Sequence, residues 1–369
     1  MSNGRIQYID VWRFIAIALV VVSHLVRFLD PVYQQAMPEI IAAVRKAGVI
    51  GVQVFFCISG FVICRGMMRE SRESGRVSMR AFYIRRIYRI LPALSVYIGC
   101  VAVLTSLGVF DLSAYQFLKA ATFLCNIREV GPSCSWELGH TWSLAYEEQF
   151  YLVFPLLFVC GRMACNARVV VKMASILIPL CLLALIWKNS AVTTYFGHVL
   201  FMLMGCLFAL YWEKIEPAVK SMPATAWYVL LTIIVAIGVF PQPDMLKRFY
   251  AFVLPVLIGI AVFGTPIQRP AVQWFFSNQV LAHLGRISYS IYLWQQLATA
   301  NYGLASPLLT AAVLVALTVL FAHYSYHYFE LPLVRKGNLV AARYAGPQQV
   351  ALVSQVDHSD EDVFTKLAA

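Results

Sequence analysis

Arg13 and His24 stand eleven residues apart in the run DVWRFIAIALVVVSHL. On a helix that spacing is three turns plus roughly 20°, so the two share one face, about 16 Å apart along the axis. Ionisable groups inside an apolar run are costly and mark function. A neutral imidazole there is a natural general base, and an arginine can orient a substrate or stabilise developing negative charge. The competing structural reading has Arg13 snorkelling and paired with Asp10, and His24 hydrogen-bonded to a neighbouring helix.

A second constellation lies in FYIRRIYRILPAL, residues 82–94. Arg86 and Arg89 are i, i+3, and Arg85 and Arg89 are i, i+4, so they converge on one side of a helix. Convergent guanidiniums make a site for phosphate or pyrophosphate, with anionic lipid headgroups as the competing partner. Further on, ELGHTWSLAYEEQFYLVFP opens an apolar run with Glu147 and Glu148 just inside the expected outer face. A carboxylate there can orient a histidine or bind an acceptor hydroxyl, or it can simply complement a helix N-terminus. Trp142 and the tyrosines suit an interfacial belt or a sugar-stacking platform. In GVQVFFCISGF the Ser59–Gly60 pair marks a close helix approach or a kink, and the GxSxG elbow of a serine nucleophile is absent. His323 and His327 are i, i+4 but have no carboxylate partner upstream on that face. With no zinc-ligand spacing among the nine cysteines, no metal is expected. His140, His198 and His283 carry no independent signal.

The elements that must position these groups follow from composition. The 369 residues are 60% hydrophobic and 13% charged, against about 25% charged in a soluble domain. That excludes a water-soluble globule, and 14% aromatics with 20 glycines exclude disorder and collagen. The expected fold is all-α, a polytopic transmembrane bundle of about ten helices, with apolar runs near 9–28, 49–64, 90–109, 143–160, 173–187, 196–212, 224–240, 249–264, 288–301 and 307–329. With the N-terminus inside, 20 Lys and Arg fall on the cytoplasmic side and eight outside, which favours N-in and C-in. Eight arginines between Arg65 and Arg89 dominate that count, so the net charge of +11 faces a bilayer or a small anion and no nucleic acid. The start lacks a cleavable signal layout, so the first hydrophobic stretch is expected to be retained.

Residues 1–339 are expected to form the membrane-embedded domain, and 340–369 a polar, disordered cytoplasmic tail. The loop from Gly108 to Thr141 is the longest outside and holds Cys125 and Cys134, a disulfide if the loop faces an oxidising compartment. QRPAVQWFFSNQVLAHLGR, between Pro266 and Arg286, suits an interfacial or re-entrant helix. No internal repeat is visible, which weakens an inverted-repeat transporter.

Taken in order, these blocks resemble the acyltransferase family 3 membrane enzymes, bacterial proteins that move acyl groups, usually acetyl, onto sugars or small molecules. The resemblance covers about residues 5–335. Arg13 and His24 match its Arg and His with ten residues between, with Asp10 in the expected place. GVxVFFxxSGF matches at 51–61, with Gln53 where many members carry an acid. Arg86 and Arg89 match the arginine pair in RRxxRxxP, and WSLxxExxFYLxxP at 142–155 singles out Glu147. ISYSIYLWQQ at 287–296 looks like ISYxxYLWHxP, but Gln295 replaces the usual histidine. Glu330 and Pro332 fit the closing E-x-P.

The resemblance implies acetyl-CoA, or another acyl-CoA, as donor, bound from the cytoplasm with its phosphates on Arg85, Arg86 and Arg89. It implies His24 as the base that deprotonates an acceptor hydroxyl, Arg13 as donor-orienting group, and Glu147 positioning His24 or the acceptor. Trp142 and Glu148 are the candidate acceptor contacts. The expected reaction is O-acetylation of a glycan or a glycosylated small molecule at the bacterial inner membrane, in a form without the fused hydrolase-like domain of many members. The main alternative is a transporter or flippase of a lipid-linked saccharide that consumes no acyl-CoA.

Overall fold

The computed structural model describes residues 7–29, 35–127, 131–163, 190–240, 244–266, 269–302 and 307–345. Among these, every regular element is helical. In hydrocarbon each backbone polar group must be satisfied within its own segment, which is why apolar runs of this length fold as helices. Five are long and apolar enough to cross a membrane: Gln7–Phe28, Pro38–Ser74, Met79–Ser106, Gly197–Val219 and Leu308–Ala342. The expected span at 173–187 and most of the expected tail lie outside the described residues.

The elements are α1 (Gln7–Leu25), α2 (Pro38–Ser74), α3 (Met79–Ser106), α4 (Ala114–Ala121), α5 (Trp136–Gly139), α6 (Thr141–Met163), α7 (Ser190–Lys220), α8 (Ala224–Val239) and α9 (Asp244–Phe263). They continue with α10 (Pro270–Phe276), α11 (Gln279–Arg286), α12 (Ser288–Ala298), α13 (Pro307–Ser325) and, after a π-helical turn at Tyr326–Glu330, α14 (Leu331–Ala342). The chain divides into two compact units. One comprises Met1–Arg5, Arg65–Val169 and Leu317–Ala369, the other Ile6–Cys64 and Val170–Ala316.

In the second unit α1 is the hub. Lipid tails are as apolar as leucine, so helices in a bilayer associate by close packing at small residues. Gly285 of α11 lies directly against the backbone carbonyl of Asp10, and Gly51 of α2 against that of Ala16. The first half of α1 is further fixed by polar contacts. Trp12 Nε1 donates to Thr265 Oγ1 at 2.8 Å, and Gln7 Nε2 to the carbonyl of Ser277 at 2.9 Å. Trp12 also packs edge-on against Trp227, with Phe276 beside both rings. The expected interfacial stretch is the pair α10–α11, broken at Asn278, whose Oδ1 caps α11 by accepting from the Val280 and Leu281 amides. Trp274 is 76% exposed there, an apolar side chain suited to a membrane interface.

The expected span at 288–301 becomes α12, only 11 residues long and therefore about 16 Å against a hydrocarbon core of about 30 Å. Its Ser288, Ser290, Gln295 and Gln296 are all buried in protein, the reverse of a lipid-facing surface. An apolar run alone does not distinguish the two cases.

In the first unit α3 is the hub. Gly337 of α14 packs directly on Tyr88, and the Tyr97 hydroxyl donates to the Glu137 carbonyl at 2.6 Å. Cys125 and Cys134 form a disulfide. Around it, the buried Lys119 Nζ donates to the carbonyls of Ile127 and Pro132, and Gln149 of α6 bonds Asn126 and the Phe123 carbonyl.

Gly60 is where α2 crosses α7. A Cβ at Gly60 would run into the Met202 backbone, and one at Gly205 into the Cys57 carbonyl, while none of the described residues comes within 4 Å of such an atom at Gly99. Backbone cannot swing aside, so Gly60→Ala should lose stability by about 1–3 kcal/mol. Gly99→Ala should be neutral or gain up to about 1 kcal/mol from helix propensity. Thermal unfolding of the two variants in one detergent checks the contrast.

Candidate active site

α1 is unbroken from Gln7 to Leu25, so Arg13 and His24 keep their separation of about 16 Å on one helix. Both side chains are half-buried. His24 Nδ1 lies 2.8 Å from Gln295 Oε1 on α12. Gln295 is itself completely buried. Its Nε2 donates to Gln296 Oε1 at 3.1 Å and points at the Tyr292 carbonyl at 3.4 Å, while its own carbonyl accepts from Thr299 Oγ1 at 2.9 Å. One turn beyond His24, Arg27 is within electrostatic reach of the ring and stacks over Phe28. The sequence pattern gave Arg27 no role.

The arginine constellation belongs to the first unit and begins with Glu70. That carboxylate is 5% exposed. Its Oε1 accepts from the Ser78 amide at 2.8 Å, and its Oε2 from Arg85 Nη2 at 2.9 Å. Ser78 is the N-cap of α3, its hydroxyl accepting from the Ala81 amide, and Gly75 turns the chain between the helices at φ +72°. One buried carboxylate thus ties the end of α2 to the cap and second turn of α3, and sets the direction in which the next residues project. Arg85 is committed to this pair.

Arg86 and Arg89 are in different surroundings. The Arg86 guanidinium lies over the Tyr151 ring at 5.0 Å and the Phe82 ring at 5.6 Å, two cation–π contacts. Glu147 and Glu148 interact electrostatically with Arg86, and Glu148 with Arg89 as well. Spacing along the chain suggests that the acids lie toward the outer face and the arginines at the inner mouth. The structure brings them to one level instead. Tyr83 donates its hydroxyl proton to the Leu152 carbonyl at 3.0 Å, and with the Tyr97–Glu137 bond this sets an antiparallel register that lays Glu147 and Glu148 beside Arg86. Glu148 Oε1 is shut off from solvent and has no hydrogen-bond partner among the described residues. Trp142 stands one turn before Tyr146, edge to face at 5.8 Å.

Phe82 and Arg86 are four residues apart, a pairing visible in the sequence. Tyr151 and Glu70 join across helices and are not. His323 and His327 face each other in the first unit, ring centroids 4.7 Å apart. His198 packs edge-on against Phe56 in the second.

A family model described as an acyltransferase domain, of the acyltransferase 3 type, matches residues 6–327. The chain belongs to that family. The O-acetyltransferase OatA of Staphylococcus aureus strain NCTC 8325 / PS 47 is similar to it, 27% identical over 332 residues that cover 79% of this chain and 53% of that protein. OatA of Staphylococcus aureus strain COL gives the same figures. The chain spans about half the length of the curated relatives it matches. No solved structure matches it. For the acyltransferase domain, then, the geometry supplies two polar centres: a histidine held through Nδ1, and a pair of guanidiniums in an aromatic and acidic setting.

Removing the Glu70 carboxylate strands a half-buried arginine and uncaps the turn. Glu70→Ala should cost about 1–3 kcal/mol, the penalty for a buried group left unpaired. Glu70→Gln, which still accepts from Ser78, should recover part of it. Thermal unfolding of both variants beside the parent measures the difference.

Proposed function

We propose that this acyltransferase domain is an integral membrane O-acetyltransferase that takes acetyl from acetyl-CoA and places it on a sugar hydroxyl of a glycan or a glycosylated small molecule. The observation that carries the proposal is the His24 ring bonded through Nδ1 to a buried amide, in a chain whose family transfers acyl groups. The Nε2 lone pair of such a ring takes the proton from the acceptor hydroxyl as its oxygen attacks the thioester carbonyl carbon. The new C–O bond forms, the C–S bond breaks, and the imidazolium returns its proton to the departing CoA thiolate. A general base of this kind contributes about 10²–10⁴ in rate.

Arg86 and Arg89 hold the donor's phosphates. Glu147 and Glu148 balance their charge before the donor arrives and offer acceptors to a hydroxyl, and Trp142 offers a sugar ring a flat apolar face. Arg13 orients the donor or steadies the developing oxyanion. Arg85 contributes indirectly, by fixing the turn from which α3 leaves. The chain lies in the bacterial inner membrane with about ten spans and both termini inside. Two features support that orientation: 20 Lys and Arg fall on the proposed inner side against eight outside, and the Cys125–Cys134 disulfide lies in the longest proposed outer loop.

Acetyl-CoA turnover by the detergent-purified protein, with a panel of glycans as acceptors, tests the reaction. Arg86→Ala and Arg89→Ala should each raise KM for acetyl-CoA by about 10- to 100-fold, the worth of a charge-assisted hydrogen bond, with smaller changes in kcat. His24→Ala should lower kcat by about 10²–10⁴ and leave donor binding intact. The reverse pattern would overturn the roles, and donor binding indifferent to both arginines would favour transport without acyl chemistry. For orientation, an impermeant maleimide should label Cys125 and Cys134 from outside intact spheroplasts once an impermeant reductant has opened the disulfide. Labelling only after lysis would reverse the topology.

A further inference from the structure

We propose that Gln295 is a positioning residue that fixes the tautomer of His24, so that the ring presents Nε2 and never Nδ1 as the proton acceptor. This rests on the reading of His24 as the base. The family usually has a histidine at this place in the ISYxxYLWHxP block, so the amide is a feature of this chain.

The argument is one of donor and acceptor inventory. A neutral imidazole carries one N–H and one lone pair, and the partner of one nitrogen decides which is which. The group facing His24 Nδ1 is one end of the Gln295 amide. The other end faces the Gln296 Oε1 atom and the backbone carbonyl of Tyr292. A backbone carbonyl can only accept, so the end beside it must be the NH2. The end that faces His24 is therefore the carbonyl oxygen, which also can only accept. Nδ1 must then carry the hydrogen, and the lone pair falls to Nε2. Complete burial of Gln295, with Gln296 only 2% exposed and Thr299 fully buried, removes water as a substitute partner for the amide and holds it in this orientation. Thr299 Oγ1, bonded to the Gln295 carbonyl, secures the same turn of α12. A neutral amide does this without placing a second charge beside the base.

The first test reads the tautomer in the parent protein. With ¹⁵N-labelled histidine in detergent micelles, the His24 ring is assigned among the seven histidines by its loss in His24→Gln. A protonated Nδ1 with a pyridine-type Nε2 is expected, and the opposite assignment overturns the proposal. The second test is kinetic and uses CoA release from acetyl-CoA with the glycan panel. Gln295→Met removes the acceptor at similar volume and should lower kcat by about 10²-fold with KM for acetyl-CoA unchanged, since an orienting group acts through the base. Gln295→Glu keeps an acceptor facing Nδ1 and should stay within about tenfold of the parent.

In a His24→Ala background Gln295→Met should cost nothing further, because the two residues act as one unit. An inactive His24→Ala beside a Gln295→Met variant within threefold of the parent sinks the role of Gln295 alone. A fully active His24→Ala sinks the base itself. Should Gln295→Met fail to fold, the tautomer of the parent still decides.

Discussion

Inside an apolar bundle a charge or a hydrogen-bonding group cannot turn to water, so it must find another protein group or lose several kcal/mol. The interior polar groups of this chain are arranged by that constraint. Glu70 meets both an arginine and a backbone amide, Gln295 meets a histidine, a glutamine and a threonine, and Trp12 meets the Thr265 hydroxyl. The His24–Gln295 and Trp12–Thr265 links join segments more than 250 residues apart in the chain. They do for the fold what apolar contacts cannot do in lipid, where greasy surfaces gain nothing by leaving the solvent.

The same links set similar residues in different surroundings. Arg85 and Arg86 are neighbours, yet one is paired with the Glu70 carboxylate and the other lies against two aromatic rings near two acids. A guanidinium in a tight ion pair is spent on the fold. One set against ring faces and longer-range charge is not committed to a single carboxylate. Consecutive helical residues point about 100° apart, which is how adjacent arginines come to have different partners.

Close helix approach and chemistry are coupled through α1. Glycines of α2 and α11 admit its backbone at Ala16 and Asp10, and α12 presents Gln295 to His24 near its far end. Loosening either glycine contact would move the imidazole relative to the amide that orients it. The demand for small residues at these crossings is thus also a demand of the site.

Composition and period alone determined that the chain is helical and membrane-embedded, because the bilayer accepts few alternatives and its length scale is fixed. The spacings within a helix were equally legible: Arg13 with His24, and Arg86 with Arg89, share a face by local geometry alone. A close approach at Ser59–Gly60 could be read from one glycine in a bulky run. Relations between helices could not. That Glu147 and Glu148 lie beside Arg86 follows from the Tyr83 and Tyr97 hydroxyl bonds, and that Arg85 is withdrawn to Glu70 follows from the turn at Gly75 and the Ser78 cap. That the apolar run at 288–301 carries buried polar side chains could not be read from it, because hydropathy cannot tell a helix face set against protein from one in lipid. The substitution at Gln295 was visible as a departure from a pattern, but its meaning came only when packing set a carbonyl oxygen against Nδ1. Side-chain period is a property of the chain; register between helices is decided by contacts that no single segment contains.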